Sequence, residues 1–73
     1  MYPITCNSSL LHTITYQQAD ALLEIIFQSG AVYEYLGVPD PIYQQLLTAE
    51  SQGGFFNSKI RNDFPFRKIR SAG

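Results

Sequence analysis

The sequence contains one cysteine and one histidine, and these shortages remove whole classes of function. Cys6 alone cannot close an internal disulfide, and one thiol with His12 cannot build a structural zinc site. A reducing, cytoplasmic setting is therefore expected. Cys6 as a nucleophile would need a base such as His12 beside it; a small, semi-buried residue near a strand is the simpler reading. No apolar run approaches the ~20 residues of a membrane span, so no membrane partner is expected. Met1 to Cys6 holds no basic residue and no long apolar core, and so does not read as a secretory signal. Without such a signal, the glycosylation sequon Asn7-Ser8-Ser9 reads as chance. Walker motifs, nucleophile elbows and paired carboxylates are lacking as well. The expectation is a protein that is not an enzyme and has no cofactor and no metal.

The 73 residues make one domain, with a core at about 8–69 and residues 70–73 expected as a disordered tail. A domain this small buries only about 60% of the surface of its unfolded chain, so its stability is marginal unless it oligomerises. The net charge of −1 hides a split. All five basic residues lie in 59–73, against Asp63 alone, a local charge of +4; residues 1–58 carry −5. Such asymmetry points to a partner of opposite sign, or to a cationic tail that solvates an acidic domain.

Ser8 to Tyr16 reads as a strand, with small polar residues between Leu10, Leu11, Ile14 and Tyr16. A polar connection covers 17–20. Leu22 to Phe27, apolar and β-branched in its centre, is the clearest strand. Gln28-Ser29-Gly30 is a turn, and Ala31 to Leu36 a third strand. With Gly30 in the left-handed region the three-residue loop becomes a type I turn with a bulge. That register sets Phe27 against Ala31, Ile25 against Tyr33 and Leu23 against Tyr35; a two-residue loop at Ser29-Gly30 would put the tyrosines beside Glu24 and Ile26 instead, and the first is favoured because it collects five large side chains on one face. Gly37-Val38-Pro39 stops the sheet. Asp40 is the expected N-cap of a helix over Pro41–Glu50, with Pro41 at its first position. Residues 51–54 break it, and a second, short helix covers Phe55–Asn62. Phe56 and Ile60, at i and i+4, share its buried face, and Phe55 points outward. Pro65 ends that helix, and the remainder of the chain is extended or disordered. The expected fold is α+β: a three-stranded antiparallel meander followed by two helices packed on one face, in the order β-β-β-α-α. Phe27, Leu46, Phe56 and Ile60 are its expected core.

Several of these pieces in order resemble the KTSC domain, named for its place at the C-terminus of some lysyl-tRNA synthetases and found also as free-standing small proteins. They are Tyr16, Leu23-x-Ile25-x-Phe27, Gly30, Tyr33-x-Tyr35, Val38-Pro39 and Ala49-x-Ser51-x-Gly53-x-Phe55-Phe56-Asn57-x-x-Ile60-Arg61, then an aromatic-Pro-aromatic segment. The likeness covers about Ser8 to Ile69. Phe64 and Phe66 stand where tyrosine looks more usual, which removes two hydroxyls. The resemblance implies a domain of unknown function, with RNA binding suggested by the synthetase context; a shared fold does not itself establish an activity.

Single-stranded nucleic acids are bound by cationic grooves with aromatic platforms. Tyr33 and Tyr35 share a sheet face, although the helices compete for that face and burial is the favoured reading. Phe55, Phe64 and Phe66 lie among the basic residues. A phosphate site is expected from Lys59, Arg61, Arg67 and Lys68. The Gly53-Gly54 amides would open the second helix toward an anion, and Ser51 would donate its hydroxyl there or merely cap that helix. Arg61 is the first choice because both the charge pattern and the family motif carry it; its structural alternative is an ion pair with Asp40 or Glu50. RNA or a phosphorylated nucleotide is the expected partner. The rival reading is a protein-contact or homo-oligomerisation module that uses an apolar Phe64-Pro65-Phe66 patch beside Ile69.

Overall fold

The computed structural model describes residues 3–72. Five antiparallel strands form one sheet in sequence order: β1 (Ile4–Thr5), β2 (Leu11–Gln17), β3 (Leu22–Phe27), β4 (Val32–Leu36) and β5 (Phe66–Arg70). Helix α1 (Asp40–Thr48) and helix α2 (Gln52–Phe55) lie between β4 and β5, and α2 continues as a π turn over Phe56–Ile60. The α+β class, the antiparallel meander and the two helices are as the sequence implies. The sheet, however, has five strands rather than three.

The central hairpin arises from side-chain chemistry and one glycine. Leu23 stands opposite Tyr35, and Ile25 opposite Tyr33. Gly30 has φ +96°, and its N–H donates to the Phe27 carbonyl at 2.9 Å while the Phe27 N–H donates to the Ala31 carbonyl at 2.9 Å. The loop therefore has three residues, with the one requiring positive φ at the glycine. Between β2 and β3 the chain makes a short 3-10 turn, Gln18–Asp20, closed by Ala21 at φ +51°.

Side chains alternate across a strand, and this sorts the sheet into two faces. Ile14, Tyr16, Leu23, Ile25 and Tyr35 point to the face covered by the helices and are buried. Tyr43 and Leu46 of α1, Phe56 and Ile60 of the π turn, and Val38 complete the core. The Tyr16 and Tyr43 rings stack at 4.3 Å. The Tyr16 hydroxyl donates to the Val38 carbonyl at 2.7 Å, so a buried phenol and a buried carbonyl satisfy each other. Phe55 is half-buried beside fully buried Phe56, the order expected for neighbours about 100° apart on a helix.

Four sequence expectations are corrected. The first helix begins at Asp40 with Pro39 as its N-cap and no side-chain capping bond; Asp40 is its first residue, not its cap. It also ends earlier, at Thr48. The second helix starts at Gln52, three residues before the expected Phe55, because Ser51 caps it through its hydroxyl. Phe27 is half-buried, since one side of its ring forms a groove wall. Lastly, Arg70, expected in a disordered tail over 70–73, is the last residue of β5; the segment after Pro65 is extended, one of the two expected states, and pairs with β4 in the register Tyr35↔Phe66 and Glu34↔Arg67.

Candidate functional site

A groove of about 560 Å³ opens between β4, β5 and the end of the π turn. Its wall is aromatic. Tyr33 packs edge-on to Phe27 at 5.5 Å and at a tilt to Phe66 at 5.4 Å. Tyr35 meets Phe66 at 5.7 Å and Phe56 edge-on at 5.2 Å. Ring pairs of this geometry contribute about 0.5–1.5 kcal/mol each beyond the area they bury. Phe66 remains 53% exposed, so much of that ring faces solvent.

Ser9 before β2, Gln28 and Ser29 of the β3–β4 turn, and the end of the π turn supply the polar rim. The π turn's last bond runs from the Arg61 N–H to the Phe56 carbonyl at 2.9 Å, one residue further back than an α-helix would place it. Insertions of this kind recur at functional sites. Here the wide turn buries both Phe56 and Ile60 and brings Arg61 and Asn62 to the groove. One Arg61 nitrogen donates to the Asn57 side-chain oxygen at 3.2 Å, leaving most of the guanidinium's donors unspent. Its charge is felt at the groove floor. Burial pushes the Tyr35 phenol above its ordinary value, the Arg61 guanidinium pulls it part of the way back, and Tyr33 adds a smaller upward push.

The sequence-predicted residues fall on separate surfaces. Arg61 lines the groove, and Lys68, opposite Tyr33, lies on the same sheet face. Arg67 stands opposite Glu34 and is bound to its carboxylate at 2.8 Å, on the other face. Lys59 is exposed on the π turn, and Phe55 packs partly against the core. Ser51 accepts the Gly54 N–H at 3.1 Å, so that amide is already satisfied. A Cβ on Gly53 would meet Ser8 Oγ at 3.2 Å and Leu10 Cβ at 3.4 Å; this glycine lets α2 lie against the segment before β2. Arg61 does not pair with Asp40 or Glu50: among the described residues the one salt bridge is Arg67–Glu34. The glycine pair, Ser51 and Arg67 are thus engaged within the fold, while Arg61 and Lys68 stand beside the rings.

Charge and spacing single out Arg61, and Phe66 enters as an aromatic among the basic residues, but Phe27 and Asn62 are left without a site role. For Phe27 the available signal is the alternation of Leu23, Ile25 and Phe27, which puts it on the face where Ile25 stands opposite Tyr33; Asn62 carries none. Elsewhere the titratable groups are dispersed. Cys6 is buried, and burial pushes its thiol up. His12 is exposed and contacts Thr13 Oγ1 through Nδ1 at 2.6 Å. Among the described residues no cluster of His, Cys, Asp and Glu could hold a metal ion. No helix among them is long and apolar enough to cross a membrane.

Comparison with known proteins places the chain. The profile of the KTSC domain matches residues 7–64. A lysine–tRNA ligase of Nostoc punctiforme is 38% identical over 63 residues, which is 86% of this chain and 11% of the ligase. The chain thus spans about a ninth of that enzyme. An uncharacterised protein of Stutzerimonas stutzeri is 40% identical over 61 residues, 84% of this chain and 86% of that protein. The crystal structure of a KTSC domain protein from Yersinia pestis superposes with a TM-score of 0.89 at 37% identity, covering 93% of this chain and 96% of that one. The chain belongs to the KTSC domain family.

Proposed function

We propose that this domain binds single-stranded RNA, or a phosphate-bearing nucleotide, with a base stacked in the aromatic groove and a phosphate on Arg61. One observation carries the reading: an aromatic wall of exposed Phe66 and half-buried Tyr33 sits beside a guanidinium that has no carboxylate partner among the described residues. Base stacking on aromatic rings contributes about 1–3 kcal/mol per base. A guanidinium offers phosphate two parallel donors, and Lys68 on the same face adds charge. The rival protein-contact reading has exposed Phe66 and Ile69 in its favour. It loses Phe64, which is half-buried against the core.

The test is a titration with a short single-stranded RNA at several salt concentrations. Binding should weaken steadily as salt rises, because phosphate contacts release counterions. Arg61→Ala should abolish it while barely moving the melting temperature, since Arg61 is exposed and its one side-chain bond is local. A large stability loss with unchanged binding would assign Arg61 to the scaffold and remove the proposed site.

A further inference from the structure

β5 is an edge strand, and all five of its residues are exposed. Its outward backbone groups can be located from the ladder. The Leu36 N–H donates to the Pro65 carbonyl at 2.8 Å, and Pro65 has no N–H to return. Hydrogen-bonded and non-hydrogen-bonded pairs alternate along an antiparallel ladder, so Glu34–Arg67 is the next bonded pair. Phe66 and Lys68, opposite Tyr35 and Tyr33, therefore turn their N–H and C=O groups away from β4, toward the open edge. An edge of this kind is a template for another strand.

Its charges restrict what that strand can be. Arg67, Lys68 and Arg70 lie on β5, and Glu34 answers only Arg67. A second copy laid antiparallel along β5 would bring these cations together, which opposes self-pairing. An acidic strand meets the opposite situation. Phe66 and Lys68 share the groove face, so the favoured strand carries an acid opposite Lys68 and an aromatic or aliphatic residue two positions away opposite Phe66.

We propose that β5 is a docking edge for an extended acidic peptide, which adds to the sheet as a sixth strand through the backbone of Phe66 and Lys68. Main-chain bonds supply the affinity in such additions, and alternate side chains the specificity. This proposal stands on the open backbone edge of β5, although the Phe66 and Lys68 side chains are shared with the proposed groove site.

The probe is a synthetic peptide that alternates threonine with glutamate and phenylalanine, followed by amide exchange in the isotope-labelled protein. Peptide binding should slow exchange at the Phe66 and Lys68 amides. N-methylation of the peptide amides that face β5 should weaken binding about tenfold or more, as the loss of backbone hydrogen bonds requires. Lys68→Pro removes one outward N–H without touching a ladder bond and should weaken binding similarly. Lys68→Glu, which keeps that N–H, should weaken binding of the glutamate peptide and strengthen that of a lysine-substituted peptide. Absence of binding, indifference to N-methylation, or protection confined to residues outside β5 would overturn the proposal. So would a doubled solution mass without peptide that comes with slowed exchange at the Phe66 and Lys68 amides, since that assigns the edge to a second copy.

Discussion

Phe56 and Arg61 sit on the same turn and do opposite things. Phe56 is 1% exposed and touches the rings of both Phe27 and Tyr35. It is the link between the core and the groove wall. Phe56→Ala should destabilise the fold by about 3–5 kcal/mol, the usual range for a buried aromatic truncated to alanine. Total stability in small domains is about 5–15 kcal/mol, so a melt of the variant should show a large fall or no cooperative transition. A variant within about 1 kcal/mol of the wild type, small beside that range, would mean that the ring is not a structural keystone. Arg61 contributes almost nothing to that balance, because it is exposed and bound only to Asn57. Under the proposed reading, two positions five apart on one turn separate stability from binding.

Each element owes its existence to a different signal, and this explains which were legible in the sequence. The β3–β4 hairpin was readable because its information is local: a three-residue loop, a glycine and alternating large side chains. Gly30→Ala should cost about 1–2 kcal/mol, the cost of left-handed backbone for a residue with a Cβ. Nothing lies within 4 Å of the added atom, so the loss would come from strain alone. A denaturation midpoint unchanged by this substitution would show that the turn can relax to another form. β5 was not readable in this way. Phe66-Arg67-Lys68-Ile69-Arg70 has weak alternation and is exposed throughout; only its pairing with β4, some thirty positions earlier, makes it a strand. β1, with two residues, carries too little pattern to find. The site was half legible for the same reason. Arg61 could be read from charge and motif, but Phe66 joins Tyr33 and Tyr35 only through that long-range pairing. The helix starts turned on capping: Ser51 holds α2 through its hydroxyl, and aspartate at a plausible cap position became the first helical residue instead.

For the whole molecule, the buried phenols set a limit at high pH. Burial, the charge of Asp40 and the neighbouring Tyr43 all push the Tyr16 phenol above its ordinary 10.0. Burial and Asp40 do the same to Tyr43, and burial outweighs Arg61 at Tyr35. A raised pKa for an acid means that the unfolded chain gives up its proton first. Above about pH 10 the unfolded state then binds fewer protons than the native state, and stability falls as pH rises. The contribution is complete below the unfolded value and is lost progressively above it, toward the higher folded values. Burial raises the Cys6 thiol in the same sense from its ordinary 9.0, so denaturant midpoints should hold steady from neutrality to about pH 9 and decline beyond it, more steeply once the phenols contribute. Tyr16→Phe separates two effects of one hydroxyl. At neutral pH the variant should be less stable by about 1–3 kcal/mol, because the buried Val38 carbonyl loses its donor. Above pH 10 its decline should be shallower than the wild type's, because one of the raised phenols is gone. Equal slopes in the two proteins would show that Tyr16 ionisation does not limit alkaline stability and would move the origin of the decline to Tyr35 and Tyr43.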